Sequence, residues 1–123
     1  MASTIYISGT VIRGRKEARG LGFPTVNLRP SRAPKSLVQG IYATFTTTPV
    51  GVFKSVLYFG PRHGEGRARV LEVHCFGLTK SLYGKKVKVV FVKKIRSPRQ
   101  FKTLAALKNA IKSDIKKAKQ ILQ

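Results

Sequence analysis

Acidic residues are scarce in this sequence. Only 4 aspartates and glutamates stand against 25 lysines and arginines, so the formal net charge is +21 at pH 7. A field of this strength attracts polyanions, whether nucleic acid, nucleotide phosphates or anionic lipid, and does not by itself distinguish among them. The scarcity also restricts carboxylate chemistry to very few side chains, which are Glu17, Glu65, Glu72 and Asp114.

Cysteine and long apolar runs are also nearly absent. The single cysteine, Cys75, excludes an intramolecular disulfide and a zinc cluster made of cysteines. No apolar run approaches the roughly 20 residues of a membrane-spanning helix, and the first residues lack the pattern of a secretory leader. The 123 residues, 42% of them hydrophobic, suffice for one core. We therefore expect a single domain over residues 1–123, cytoplasmic and monomeric, with no membrane partner.

Short β-type runs dominate most of the chain. They alternate or are rich in β-branched and aromatic residues, and glycine and proline separate them. No helical pattern lies between these runs, which favours an antiparallel barrel or sandwich over a parallel sheet. We predict strands at Thr4–Ile12, Gln39–Thr48, Val52–Phe59, Ala68–Phe76 and Lys85–Ile95.

The end of the chain changes to a helical period. From Phe101 to Leu122, apolar residues recur every three or four positions with lysines between them. This pattern predicts one amphipathic helix that packs on the barrel, and Thr103 is a suitable N-cap.

Glu72 is the acid with the most unusual predicted position. Within the strand predicted at Ala68–Phe76, alternation puts Leu71, Val73 and Cys75 on one face and Glu72 with His74 on the other. Two interpretations remain open at this point. The carboxylate either faces water on a half-exposed strand or lies at the rim of a pocket, where it could act as a general base.

Several motifs do not establish a function. The segment "GRKEARGLG" at 14–22 lacks the ending of a Walker A loop and does not match the dinucleotide glycine pattern. His63 and His74 have no further ligand at zinc spacing, so we expect no metal site made by them. The alternative function is a basic β-barrel that binds nucleic acid through strand aromatics such as Tyr42 or Phe76. No known nucleic-acid signature accompanies them, so we expect no specific nucleic-acid partner, although the charge favours nonspecific binding.

Four blocks in a fixed order resemble the ATP-dependent riboflavin kinase family, and the resemblance covers essentially the whole chain. That family has a six-stranded antiparallel Greek-key barrel with a C-terminal helix. Its members transfer the γ-phosphate of MgATP to the terminal ribityl hydroxyl of riboflavin, which gives FMN and ADP. The four blocks are "GTVIRG" at 9–14, "RGLGFPTVNL" at 19–28, "LEVHCF" at 71–76 and "LYGKKVKVVFVKKIR" at 82–96.

The resemblance implies roles for residues of the phosphate side. Thr25 and Asn27 match the PTxN element that holds the metal and the nucleotide phosphates, and Glu72 matches the catalytic carboxylate. Because Mg²⁺ prefers hard oxygen ligands and keeps several waters, two neutral oxygens beside a triphosphate suffice. Mn²⁺ and Zn²⁺ are the alternative ions. Gly14 and Arg19 match a loop that is expected to cover the phosphates.

The resemblance also implies a flavin side. Tyr83 is expected near the nucleotide, whereas Arg96, Arg99 and Leu104 fall where the family shapes its riboflavin site. The adenylyltransferase half of the bacterial bifunctional enzymes does not occur in this sequence, so we expect the reaction to stop at FMN.

This sequence departs from the family pattern at several positions on the flavin side. The usual asparagine is Tyr58, the usual acidic residue before "LYG" is Ser81, and a usual glutamate is Pro98. In the loop over the phosphates, Ala18 replaces a usual glycine. The assignment of Glu72 does not depend on these changes.

Overall fold

The computed structural model of the protein describes residues 4–14, 25–62 and 68–123. These residues form six strands and one long helix. The strands are β1 (Tyr6–Thr10), β2 (Val26–Leu28), β3 (Gly40–Thr48), β4 (Gly51–Pro61), β5 (Arg69–Cys75) and β6 (Lys86–Arg96), and the helix is α1 (Leu104–Ile121). One turn of 3-10 helix, Pro30–Arg32, follows β2.

All five strands predicted from the hydrophobic pattern are confirmed. Their ends differ from the prediction by no more than two residues. The pattern did not predict β2, because a strand of three residues is too short to show an alternation. Pairing with β5 in an antiparallel ladder defines β2, and such pairing is a tertiary property.

The strands form one antiparallel sheet in the order β1-β6-β3-β4-β5-β2. The sub-order β6-β3-β4-β5 is a Greek key, because β3, β4 and β5 follow one another and β6 returns beside β3. The sheet curls until its two edges meet where Ile12, just after β1, forms an antiparallel bridge with Asn27 of β2. The fold is therefore a nearly closed barrel, which confirms the architecture implied by the family resemblance.

The barrel interior receives one face of each main strand. On β5, Leu71 and Val73 are at most 1% exposed, which confirms the predicted alternation. The interior also contains a hydroxyl cluster in which Ser55 Oγ lies 2.6 Å from Thr44 Oγ1 and 2.8 Å from Thr46 Oγ1. Since these hydroxyls bond to each other, their burial does not leave a polar group unsatisfied.

Helix α1 packs against the outer face of the sheet. Its predicted N-cap is confirmed, because Thr103 Oγ1 accepts a hydrogen bond from the backbone N of Ala106 at 3.0 Å. On its buried side, Ala118 and Leu122 form a second apolar cluster with Ala43 of β3. Among the described residues, no helix is both long and apolar enough to cross a membrane.

Candidate active site

Three side chains lie in one row across strands β2, β5 and β4. Asn27 is the ladder partner of Glu72, and Glu72 is in turn the partner of Tyr58. Directly opposite residues of antiparallel strands point to the same face, with Cβ atoms about 5 Å apart. This face is the outer one, because Leu71 and Val73 occupy the inner face of β5. Asn27, Glu72 and Tyr58 are therefore neighbours at the barrel surface.

Glu72 lies half-buried in the middle of this row. His74 follows on the same outer face, and its ring meets the ring of Phe76 edge-on with centroids 5.5 Å apart. The carboxylate thus has an amide on one flanking strand, a phenol on the other and aromatic rings further along its own strand. Glu72 therefore has neighbours on both flanking strands and is still reachable from outside.

The Thr25 and Asn27 side chains contact each other at the start of β2. Asn27 Nδ2 donates to Thr25 Oγ1 at 3.3 Å and to the Thr25 carbonyl oxygen at 3.4 Å. Thr25 lies just before the strand and Asn27 within it, so the two point to the same side. A hydroxyl and an amide are therefore presented together beside Glu72.

Gly14 lies directly against the Asn27 side chain. A Cβ atom at Gly14 would lie 2.0 Å from Asn27 Nδ2 and 2.6 Å from Asn27 Oδ1. The approach follows from the barrel closure, since the backbone N of Ile12 donates to the Asn27 carbonyl oxygen at 2.8 Å. Only glycine at position 14 lets the backbone lie this close to the Asn27 amide.

Tyr83 reaches the same region from the turn before β6. The backbone N of Gly84 donates to the Val11 carbonyl oxygen at 2.9 Å, which joins this turn to the segment that leads to Gly14. Tyr83 is 51% exposed, and the guanidinium carbon of Arg13 lies 4.9 Å from its ring centroid. The sequence interpretation missed Arg13, although its place directly before Gly14 could have identified it.

The predicted flavin-side residues form a second group, near the end of β6 and the start of α1. Arg96 makes a two-pronged ion pair with Asp114 of α1, with Nε donating to Oδ1 at 2.9 Å and Nη2 to Oδ2 at 2.8 Å. The Asp114 side chain is 5% exposed and that of Arg96 is 21% exposed. Arg96 therefore holds the helix to the barrel, whatever else it contacts.

Arg99 and Leu104 are exposed beside this ion pair. The guanidinium carbon of Arg99 lies 4.9 Å from the ring centroid of Phe101, and that of Arg96 lies 5.6 Å from the same centroid. Leu104 begins α1 and is 70% exposed, so its side chain is not part of the core.

Gly60 connects the two groups. A Cβ at Gly60 would lie 3.0 Å from Tyr58 Oη and 3.1 Å from Pro98 Cγ, so both side chains rest against this glycine. The Tyr58 hydroxyl donates to the carbonyl oxygen of Pro61, which directs the ring along β4. Glu72 consequently lies between Asn27 and Gly14 on one side, and Tyr58 with its neighbour Pro98 on the other.

The structure thus brings Gly14, Thr25, Asn27 and Glu72 together. Tyr83 lies beside Arg13, next to this group, and Arg96, Arg99 and Leu104 form a neighbouring group. Arg19, predicted to clamp the phosphates, lies outside the described residues.

A divalent ion is compatible with the donors at β2. Thr25 Oγ1 and the Asn27 amide are adjacent, and hydroxyl and amide oxygens are the hard ligands that Mg²⁺ accepts beside phosphate oxygens. Because residue 14 is glycine, no side chain from this position covers the Asn27 amide. Within the described part of the chain, no three His, Cys, Asp or Glu side chains are grouped as metal ligands.

Comparison with known proteins agrees with this geometry. The family model described as Flavokinase, riboflavin kinase, matches residues 1–122. A curated relative, the bifunctional riboflavin kinase/FMN adenylyltransferase of Haemophilus influenzae, is 37% identical over 92% of this chain, which spans 37% of that relative. The chain belongs to the riboflavin kinase family, and it corresponds to the kinase part of a relative more than twice its length.

Solved structures support the same fold. The match to a riboflavin kinase from Trypanosoma brucei extends over 100% of this chain and 83% of that one, with a TM-score of 0.59 and 22% identity. A protein from Streptococcus pneumoniae titled as a macrolide-efflux protein matches 95% of this chain and 39% of its own, with a TM-score of 0.82 and 23% identity. At such identities the likeness establishes the barrel and not the activity.

Proposed function

We propose that this protein phosphorylates riboflavin, transferring the γ-phosphate of MgATP to the terminal ribityl hydroxyl to give FMN and ADP. Riboflavin kinases require ATP and a divalent metal, generally Mg²⁺. The observation that carries the proposal is the position of Glu72 between two different groups. One group offers a hydroxyl, an amide and a glycine backbone, and the other offers a phenol, a proline and two arginines.

Thr25 and Asn27 are proposed to hold the phosphate end of the nucleotide and its metal ion. Their oxygens are neutral, which suits a site where the phosphates themselves bring the negative charge. When bound, the metal ion neutralises charge that builds up on the transferred phosphoryl group. Mg²⁺ is the expected ion because it has a stronger preference for oxygen ligands than Zn²⁺, and Mn²⁺ is the closest substitute.

Gly14 is proposed to let the chain run close to the phosphates, and Tyr83 to contact the nucleotide. Arg19, which lies outside the described residues, is proposed to neutralise phosphate charge. Backbone amides and cationic side chains are groups that bind phosphate in many proteins.

Glu72 is proposed to orient the ribityl hydroxyl and to accept its proton. As the hydroxyl oxygen forms a bond with the γ-phosphorus, the bond from that phosphorus to the bridging oxygen of ADP breaks, and the hydroxyl proton passes to the carboxylate. Because the transition state of phosphoryl transfer is loose, alignment of the hydroxyl matters more than early removal of the proton.

Arg96, Arg99 and Leu104 are proposed to border the flavin. Two hydrogen bonds to Asp114 already hold the Arg96 guanidinium. This side chain would therefore not need to become ordered when riboflavin binds. Since all proposed groups belong to one chain, we propose that a monomer forms the complete site, that residues 1–123 act as one domain, and that the reaction takes place in the cytoplasm, where ATP is available.

The test is formation of FMN from riboflavin and MgATP by the purified protein. We expect Glu72→Gln to lower kcat by about 10²- to 10⁴-fold, the usual range for loss of a general base. Binding of MgADP and the melting temperature should change little, because glutamine keeps the size of the side chain and its place in the row. Wild-type turnover in Glu72→Gln would reject the role of Glu72, and absence of FMN from the wild type would reject the proposed activity.

A further inference from the structure

A basic groove of about 640 Å³ lies beside β1, β6 and the end of β3. Four cationic residues are among those that line it, Arg29, Arg32, Lys86 and Lys88. None of the residues assigned to the kinase reaction lines this groove. The carboxylates of the described residues, Glu72 and Asp114, do not line it either, so its positive charge is not neutralised from within.

The backbone holds the turn that carries both arginines, and it also holds the side chain of Arg32. The backbone N of Arg32 donates to the Arg29 carbonyl oxygen at 2.9 Å, within the 3-10 turn after β2. Arg32 Nε donates to the Ser8 carbonyl oxygen at 2.7 Å, which joins this turn to β1 across the open part of the barrel seam. A guanidinium anchored in this way loses less freedom when it binds a phosphate.

Lysines and hydroxyls alternate across the neighbouring strands. Lys88 of β6 has Ser8 of β1 as its partner on one side and Thr47 of β3 on the other, and Lys86 has Thr10 as its partner. Lys86 and Lys88 are two positions apart on β6, so they share one face about 7 Å from each other. The two lysines therefore form a line along the strand. Ammonium groups and hydroxyls are the side chains that contact phosphate oxygens in nucleic-acid complexes.

An exposed aromatic residue lies at the end of this line. Tyr6 is 54% exposed and shares the outer face of β1 with Ser8 and Thr10. The Lys88 ammonium nitrogen lies 4.5 Å from the Tyr6 ring centroid. A cationic track with an aromatic platform is the arrangement that binds unpaired nucleotides, because the track follows the backbone while the ring stacks on a base.

We propose that the basic groove binds the sugar-phosphate backbone of single-stranded nucleic acid, with Tyr6 stacking on a base. This activity is separate from the kinase reaction and does not depend on it. Backbone contacts carry no sequence information, so binding is independent of sequence. A duplex keeps its bases stacked and gives Tyr6 no partner, which is why the single strand is the preferred form.

The test compares two variants that lose the same charge. The groove variant carries Arg29→Gln, Lys86→Gln and Lys88→Gln, and keeps Arg32 because that residue supports β1. The control carries Lys108→Gln, Lys112→Gln and Lys116→Gln on the exposed side of α1. Binding of a labelled oligouridine of about 12 nucleotides is titrated over a range of salt concentrations.

In the groove variant we expect affinity to fall at least about tenfold, and the slope of log K against log salt to decrease by roughly 2, from three lost phosphate contacts. The control should change much less. Tyr6→Ala should lower affinity about fivefold or more through lost stacking, with an unchanged salt slope. The groove variant should retain kinase turnover, which shows that it is folded.

Equal losses in the groove variant and the control would overturn the proposal, because binding would then depend on overall charge. Equal affinity for a duplex of the same length, or equal competition by tripolyphosphate at the same charge, would also overturn it. Oligouridine and oligothymidine share the phosphodiester chemistry. Tighter binding of oligouridine or of oligothymidine shows whether the groove prefers RNA or DNA. The loss of binding in the groove variant decides the proposal itself.

Discussion

Gly14 and Asn27 are in such close contact that no side chain fits between them. A methyl group at residue 14 would lie 2.0 Å from Asn27 Nδ2. We therefore expect Gly14→Ala to displace the Asn27 amide from Thr25 and to raise KM for MgATP by roughly tenfold or more, since a shift of about 1 Å in a positioning group can cost 10²-fold. Steady-state kinetics at varied MgATP measure this change.

Gly9→Ala is the matched control for this prediction. A Cβ at Gly9 would lie 3.4 Å from Arg32 Cγ, which is an ordinary van der Waals contact. We expect nearly wild-type KM for both substrates in this variant. If Gly14→Ala behaves like Gly9→Ala, Asn27 does not hold the nucleotide through the position observed here.

The Arg96–Asp114 ion pair is expected to stabilise the docking of α1. Asp114→Asn leaves the guanidinium without its charged partner, and we expect the free energy of unfolding to fall by about 1 to 3 kcal/mol, at the low end for a buried pair because Arg96 is partly exposed. Urea unfolding measures the change, and the exposed Lys112→Gln on the same helix is the control.

The same variant tests whether Arg96 contacts the flavin. If it does, Asp114→Asn raises KM for riboflavin more than KM for MgATP, since the arginine loses its fixed orientation. A loss of stability with unchanged KM for riboflavin would assign Arg96 to helix docking alone.

Tyr58 and Pro98 replace residues usual in the family, and both rest against Gly60. Because they share a neighbour, we expect Tyr58→Asn and Pro98→Glu to be non-additive in their effect on KM for riboflavin. A double-mutant cycle should give a coupling of about 0.5 to 3 kcal/mol. Additive effects would mean that each residue acts on the flavin side independently.

The buried Cys75 thiol makes the free energy of unfolding depend on pH. Burial raises the pKa of the Cys75 thiol from 9.0 to about 11, and a hydrogen bond with Thr46 opposes part of this shift. Between these pH values the unfolded chain has lost the thiol proton and the folded chain keeps it, so stability falls as pH rises. Over this pH range the thiol lowers the free energy of unfolding by about 3 kcal/mol at most.

Cys75→Ala should remove this decline. Titration of lysines and tyrosines affects both proteins, so the informative quantity is the difference in unfolding free energy between wild type and variant from pH 8 to above pH 11, the upper pKa. The constant cost of the smaller side chain does not change with pH. Parallel curves for the two proteins would contradict a thiol that is protonated only in the folded state.

Strand alternation predicted the face on which Glu72 lies, and the family resemblance supplied the other candidate site residues. Alternation put Glu72 on the face opposite Leu71 and Val73, and the structure confirms this because one strand fixes the direction of every second side chain. It could not predict that Asn27 and Tyr58 flank Glu72. That row depends on ladder register, which closure of the barrel fixes.

The sequence by itself determined five of the six described strands, the capped amphipathic helix and the positive charge, because these depend on local spacing or composition. The order of its four sequence blocks also indicated the family. The tertiary structure alone decided that Gly14 lies on Asn27, that Asp114 holds Arg96, and that two loop arginines meet two strand lysines in one groove. These contacts join residues far apart in the chain, and only the register and closure of the barrel bring them together.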